Sequence, residues 1–188
     1  LMKELFTRER GGLGFDLTRL TIGASDFSRR HYSLNDLPPG QTDPGLRQFS
    51  LDPERADVIP AVKQALALNP QLQVMASPWS APGWMKTTGS LVQGQLKPEA
   101  YPVYADFFAL YIREARNVGV PTDYLSIQNE PDFEPDSYPG MRWSAKDRAR
   151  FFGDDLAPVF KREKITTKVL DWDHNWDKPE QQIGRAHV

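Results

Sequence analysis

The chain has no cysteine. Disulfides and thiolate metal centres are thereby excluded, and the redox compartment is left open. Its three histidines, His31, His174 and His187, show no paired ligand spacing, so neither a catalytic metal site nor another cofactor is expected. An excess of one charge is missing too. A net charge of −2 over 188 residues leaves no broad basic surface for nucleic acid or anionic lipid. No apolar run approaches the roughly 20 residues that a membrane-spanning helix needs. No glycine-rich phosphate fingerprint follows any strand-like run, which weighs against a nucleotide-binding sheet.

Proline and glycine, by contrast, are abundant. The 16 prolines and 13 glycines gather between the apolar runs and imply elaborate loops on a regular scaffold. Those runs alternate in type. Residues 17–22, 72–76, 124–128 and 166–170 read as short strands. Residues 1–10, 56–68, 101–117 and 144–161 read as helices, with Asp52-Pro53-Glu54 as a start for the second, Gly119 closing the third and Ser144 capping the fourth. On the third, Tyr104, Phe107, Phe108, Tyr111, Ile112 and Ala115 share an apolar side. Lys161-Arg162-Glu163-Lys164 reads as a solvated helix end, and Arg29-Arg30 as a solvated loop.

A βα series predicts parallel strands, as an open doubly wound sheet or as a barrel. Each strand-like run ends in polar or aromatic residues: Ser25-Asp26, Ser77-Pro78-Trp79, Asn129-Glu130 and Asp171-Trp172-Asp173-His174. Chemistry drawn from several consecutive strand ends is how a barrel builds its site, so the expected class is α/β, a partial (β/α)8 TIM barrel. It comprises roughly strands 2 to 5 with their helices, over residues 1–182, and the remainder is expected beyond both ends. The chain opens inside a helical pattern, with no signal-peptide pattern before it. Residues 183–188 break from the preceding text and match an in-frame sequencing-adapter read, so they are expected to be a non-native tail.

The most informative segment is Gln128-Asn129-Glu130-Pro131, where a buried run opens into a loop that Pro131 keeps irregular. A carboxylate half-desolvated at such a point is suited to general acid work. Asn129 beside it can hydrogen-bond a sugar hydroxyl next to the reacting carbon. Trp79 and Trp84 lie in a proline-stiffened loop and can wall a sugar subsite. Arg19, inside a strand, needs a carboxylate partner, for which Glu130 and Asp26 are the candidates. Asp26, Asp171 and Asp173 can each bind hydroxyls or cap a turn.

Four stretches together resemble glycoside hydrolase family 30, which includes glucosylceramidases and endo-β-1,6-glucanases. They run from Arg19 to Ser28, from Ala76 to Thr87, from Gln128 to Pro131 and from Trp172 to Asn175. The resemblance implies a (β/α)8 barrel that hydrolyses β-glycosides with retention. It also implies Glu130 as general acid/base and a −1 subsite lined by Arg19, Asp26, Trp79 and Asn129, with either Asp171 or Asp173 as a further contact. The expected partner is a β-linked glycoside, as glucosyl lipid or β-glucan, in a secreted or lysosome-like setting. A glucosylceramidase-like activity is one expectation, and a glucanase or xylan-type endo-hydrolase another. The nucleophile, a second Glu on a later strand, is expected outside this chain, leaving the chain alone inactive. A non-catalytic carbohydrate binder and an inactive gene piece are the rivals. A pure binder has no need of a strand-end carboxylate beside an Asn.

Overall fold

The computed structural model describes residues 1–9 and 11–177, so the expected tail at 183–188 lies outside the described residues. Its elements follow in the order α1 (Met2–Phe6), β1 (Leu17–Ile22), α2 (Val58–Leu68), β2 (Gln73–Pro78), α3 (Tyr101–Asn117), β3 (Tyr124–Ser126), α4 (Ala145–Arg150), α5 (Ala157–Glu163) and β4 (Lys168–Leu170). The four strands form one sheet in the order β1-β2-β3-β4. All three pairings are parallel, with Arg19 beside Met75, Ala76 beside Leu125 and Leu125 beside Val169. A doubly wound sheet reverses its strand order at a switch point. Strictly sequential order has no such reversal and is the arrangement of a barrel segment.

Strand alternation divides the side chains between two faces. Ile22, Val74, Ala76 and Leu125, with Leu20 and Val169, join the helices in one core. The other face, the inner face of the barrel, carries Arg19, Ser77, Tyr124 and Lys168, and it leaves Leu17 53% and Leu170 37% exposed. Helix α3 supplies the bulk of the core, burying all six residues of the predicted apolar side. Its rings pack on Trp143 and Phe151, with Tyr104 and Phe108 centroids 4.5 Å apart and Trp143 and Phe151 4.9 Å apart. Gly119 ends the helix with φ of 86°, a value that costs glycine nothing.

Several boundaries differ from expectation for local reasons. Helix α1 stops at Phe6 because Thr7 turns extended. Asp52–Glu54 forms a separate 3-10 turn and does not begin α2. The helix after Ser144 starts as predicted, the Ser144 hydroxyl accepting the Asp147 N–H. Between α4 and α5, however, Phe151–Leu156 is π-helical. Pro158 has no N–H to give, and its ring would meet the Asp154 carbonyl in a regular ladder. A locally widened ladder relieves that clash.

One core group is uncompensated. The Tyr104 hydroxyl is buried and meets no hydrogen-bond partner among the described residues. Tyr104→Phe removes the stranded group and keeps the ring, so it is expected to raise stability by about 1 kcal/mol. Phe108→Ala, which empties the same cluster, should cost about 3–5 kcal/mol. Thermal unfolding of the two variants checks both signs, and a Tyr104→Phe chain less stable than the parent would show that the hydroxyl is satisfied.

Candidate active site

The site is built where the four strands end. Arg19 leaves β1 on the inner face, and its guanidinium reaches across the whole sheet. One terminal nitrogen lies 2.6 Å from Asp173 Oδ2, 2.7 Å from Asn129 Oδ1 and 3.2 Å from Ser77 Oγ. That nitrogen has two hydrogens, so the two short contacts use them and Ser77 is secondary. Ser77 in turn donates to Asp173 Oδ2 at 2.7 Å. The guanidinium also lies over the Trp79 ring, 4.7 Å from its centroid, a cation–π contact.

These contacts dictate what is left for a ligand. Asn129 turns its oxygen to Arg19, so its amide N–H groups are presented outward as donors. Asp173 spends Oδ2 on Arg19 and Ser77, and Oδ1 remains as an acceptor. A donor and an acceptor side by side suit a vicinal pair of hydroxyls.

Main-chain bonds fix Glu130 beside them. The Asn129 N–H donates to the Pro78 carbonyl at 2.8 Å, and the Glu130 N–H donates to the Asp173 carbonyl at 2.9 Å. Gln128, fully buried, donates to the carbonyls of Trp79 and Asn129 at 2.8 and 2.7 Å. Glu130 itself has φ of 45°, an uncommon left-handed conformation for a residue with a side chain. Its side chain is 39% exposed, more open than a half-desolvated strand-end carboxylate. Strain of this kind gathers at functional positions.

Arg19 is thus in contact with Trp79, Asn129 and Asp173, and Glu130 is tied to Asp173 through its main chain. Three residues depart in detail from the sequence reading. The ion-pair partner of Arg19 is Asp173, and neither Glu130 nor Asp26. Asp171 turns to the opposite side, where the buried Arg148 donates to it at 2.7 Å. Trp84 directs its N–H to Asn35 Oδ1 at 2.8 Å and packs against the core, so it braces the long loop after β1. Asp26 is exposed on that loop. Ser77 and His174 belong to the strand-end groups read from sequence, and Tyr138 was not singled out there. The Tyr138 hydroxyl pKa is raised by burial and then by the charges of Glu130 and Asp26. No cluster of potential metal ligands exists among the described residues.

Two loops frame this face. Lys86, fully buried, donates to Ser80 Oγ, the Leu91 carbonyl and the Gly140 carbonyl, each at 2.8 Å. Burial pulls its pKa down to about 7, which the nearby Glu134 partly offsets. Glu134 accepts the Gly94 N–H at 2.6 Å.

Comparison with known proteins bears directly on this arrangement. Residues 1–177 match the Glycosyl hydrolase family 30 TIM-barrel domain. The chain belongs to glycoside hydrolase family 30. It is 33% identical to an endo-1,6-beta-D-glucanase of Trichoderma harzianum, over 99% of this chain and 41% of that protein. To the lysosomal acid glucosylceramidase of Mus musculus it is 26% identical, over 85% of this chain and 32% of that one. Among solved structures it superposes on an endo-beta1,6-glucanase with a TM-score of 0.83 at 32% identity, covering 93% of this chain and 39% of that one. The chain spans about two fifths of the length of the glucanases it matches.

Behind the site of this family 30 chain, Glu54 is buried and accepts the Gly23 N–H at 3.0 Å, at the exit of β1. Burial pushes its pKa from 4.5 up to about 7, against the lowering effect of that hydrogen bond. The folded state therefore holds the proton more tightly than the unfolded chain does. Its stabilising contribution is full below the unfolded pKa and is lost as the pH rises through about 7. At about 1.4 kcal/mol per unit the loss is on the order of 3 kcal/mol. Glu54→Gln is expected to flatten the fall in unfolding midpoint between about pH 5 and pH 8. Parallel pH profiles for the two chains would exclude Glu54 as its source.

Proposed function

We propose that this chain is part of a retaining β-glycoside hydrolase in which Glu130 is the general acid/base. The observation that carries the reading is the position of Glu130. It stands at a strand exit beside Asn129, on the face where Arg19, Ser77, Trp79 and Asp173 converge. In the first step Glu130 protonates the leaving oxygen while a second carboxylate attacks the anomeric carbon. In the second, Glu130 takes a proton from water, which releases the sugar. Asn129 and Asp173 hold hydroxyls of the reacting ring, and Arg19 keeps both aligned. Trp79 and Asp26 complete the −1 subsite. The second carboxylate stands about 5 Å from the first in a retaining enzyme. We assign it to a strand outside the described residues, since no second Glu among the described residues stands at a strand exit comparable to that of Glu130.

For substrate, a β-1,6-linked glucan is favoured over a glucosyl lipid. What supports this is coverage: relatives named as endo-1,6-beta-D-glucanases match 99% and 95% of this chain, and putative glucosylceramidases of Caenorhabditis elegans, at a similar 32–34% identity, match 84–85%.

In the enzyme completed by the rest of its barrel, Glu130→Gln is expected to cut turnover of β-1,6-glucan oligosaccharides by about 10²–10⁴-fold. A dinitrophenyl β-glucoside, whose leaving group needs little protonation, should lose far less. Equal losses on the two substrates would reject Glu130 as the acid. Proton NMR of the first-formed product should show the β-anomer, and initial release of the α-anomer would reject retention. The 188-residue chain alone is expected to hydrolyse no aryl β-glucoside. Steady turnover of a phenyl β-glucoside, whose leaving group needs protonation, that falls sharply in Glu130→Gln would mean that it carries its own nucleophile.

A further inference from the structure

His174 follows Asp173 at the exit of β4, and its ring faces Glu130. The His174 side chain is 13% exposed, and Nε2 lies 3.8 Å from Glu130 Oε1. That separation is longer than a hydrogen bond, so direct contact requires the more exposed carboxylate to turn toward the ring. The other ring nitrogen, Nδ1, is buried and meets no hydrogen-bond partner among the described residues. The two nitrogens are therefore in unlike surroundings. A proton on Nδ1 would be a buried donor with nothing to bond, while Nε2 turned a lone pair toward a carboxylate. A proton on Nε2 faces an acceptor.

Both residues are held in place. The Trp172 ring lies against the imidazole, centroids 5.5 Å apart. The Glu130 N–H bonds to the carbonyl of Asp173, and Asn129 pairs with Asp173 in a parallel bridge. Glu130 needs such support. Its φ of 45° takes it out of regular strand geometry, and its side chain makes no ion pair or hydrogen bond among the described residues other than the approach to His174.

We propose that His174 is the positioning residue of the acid/base, its Nε2–H donating to the Glu130 carboxylate and holding it in the orientation that proton transfer needs. This rests on Glu130 being the acid/base, as proposed above. His174 touches neither the sugar nor the leaving oxygen, and it acts through Glu130 alone.

Kinetics of the complete enzyme test the role. His174→Ala is expected to lower kcat about tenfold for a glucan substrate, a fraction of what general acid catalysis supplies. KM and the rate on a dinitrophenyl β-glucoside should stay within about twofold of the parent. His174→Gln, whose amide restores an N–H donor, should recover most of the loss. Equal losses on both substrates, or a Gln variant as slow as the Ala variant, would overturn the proposal. The same assays on Glu130→Gln separate the two readings. If that variant does not discriminate between leaving groups, the acid/base assignment fails and this proposal fails with it. If it does discriminate while both His174 variants behave as the parent, this proposal alone is wrong. A measurement on the 188-residue chain needs no turnover: long-range proton–nitrogen NMR at about pH 8, where an ordinary imidazole is neutral. The His174 signal, assigned by its loss in His174→Gln, should report the Nε2–H tautomer and shift in Glu130→Gln. An Nδ1–H tautomer, or a signal indifferent to Glu130, would overturn the proposal.

Discussion

The guanidinium of Arg19 is the interaction on which the mouth of this barrel segment depends. It starts on the first strand, passes Ser77 at the end of the second and joins Asn129 and Asp173 beyond the third and fourth. A fixed, planar cation suits the task. It supplies hydrogen bonds in set directions and offers a flat face to Trp79, which a lysine ammonium could not do equally. Remove it and Asp173 becomes a partly enclosed carboxylate without its counter-charge. The Asn129 amide also loses the contact that decides which of its ends faces outward. The chemistry of the face is in this sense ordered from the strand most distant in sequence from Asp173.

Much of this was legible in the sequence, and the reasons for success and failure differ by residue. Helix α3 was readable to its last residue because its apolar side is long and strictly periodic, and Gly119 marks its end. The strands were readable as runs but not in length. A parallel strand ends where its neighbour stops pairing, and single-chain propensity carries no record of that. The π-helical turn was invisible because periodicity barely changes across it, although Pro158 was a usable sign of disturbance.

The site repeats this pattern. Strand-end position pointed to Trp79, Asn129, Glu130 and Asp26, and the need of an in-strand cation for a counter-charge pointed to Arg19. The structure brings Arg19 to Trp79 and Asn129, with Glu130 next in the chain, while Asp26 is exposed on the loop after β1. The partner of Arg19 was misassigned because 154 residues separate it from Asp173. Asp171 and Asp173 could not be told apart from sequence, since period two places both on one face. The strand ends at Leu170, and beyond it Arg148 draws Asp171 to the helix side while the bridge to Asn129 keeps Asp173 inward. Trp84 carried the same composition signal as Trp79, yet its indole was committed to Asn35, a residue no local pattern linked to it.

Lys86 gives the surroundings of the site a property of their own. Its ammonium joins the loop after the second strand to the loop after the third, through Leu91 on one side and Gly140 on the other. Main-chain bonds between Gly140 and Leu91 and between Arg142 and Gly94 reinforce the seam. The two loops are consequently one mechanical unit. A change of length or sequence in either alters the frame of both, so transplanting a single loop from a relative would import half of a joint. An exchange that keeps the joint intact has to move the pair, with the lysine that fastens it.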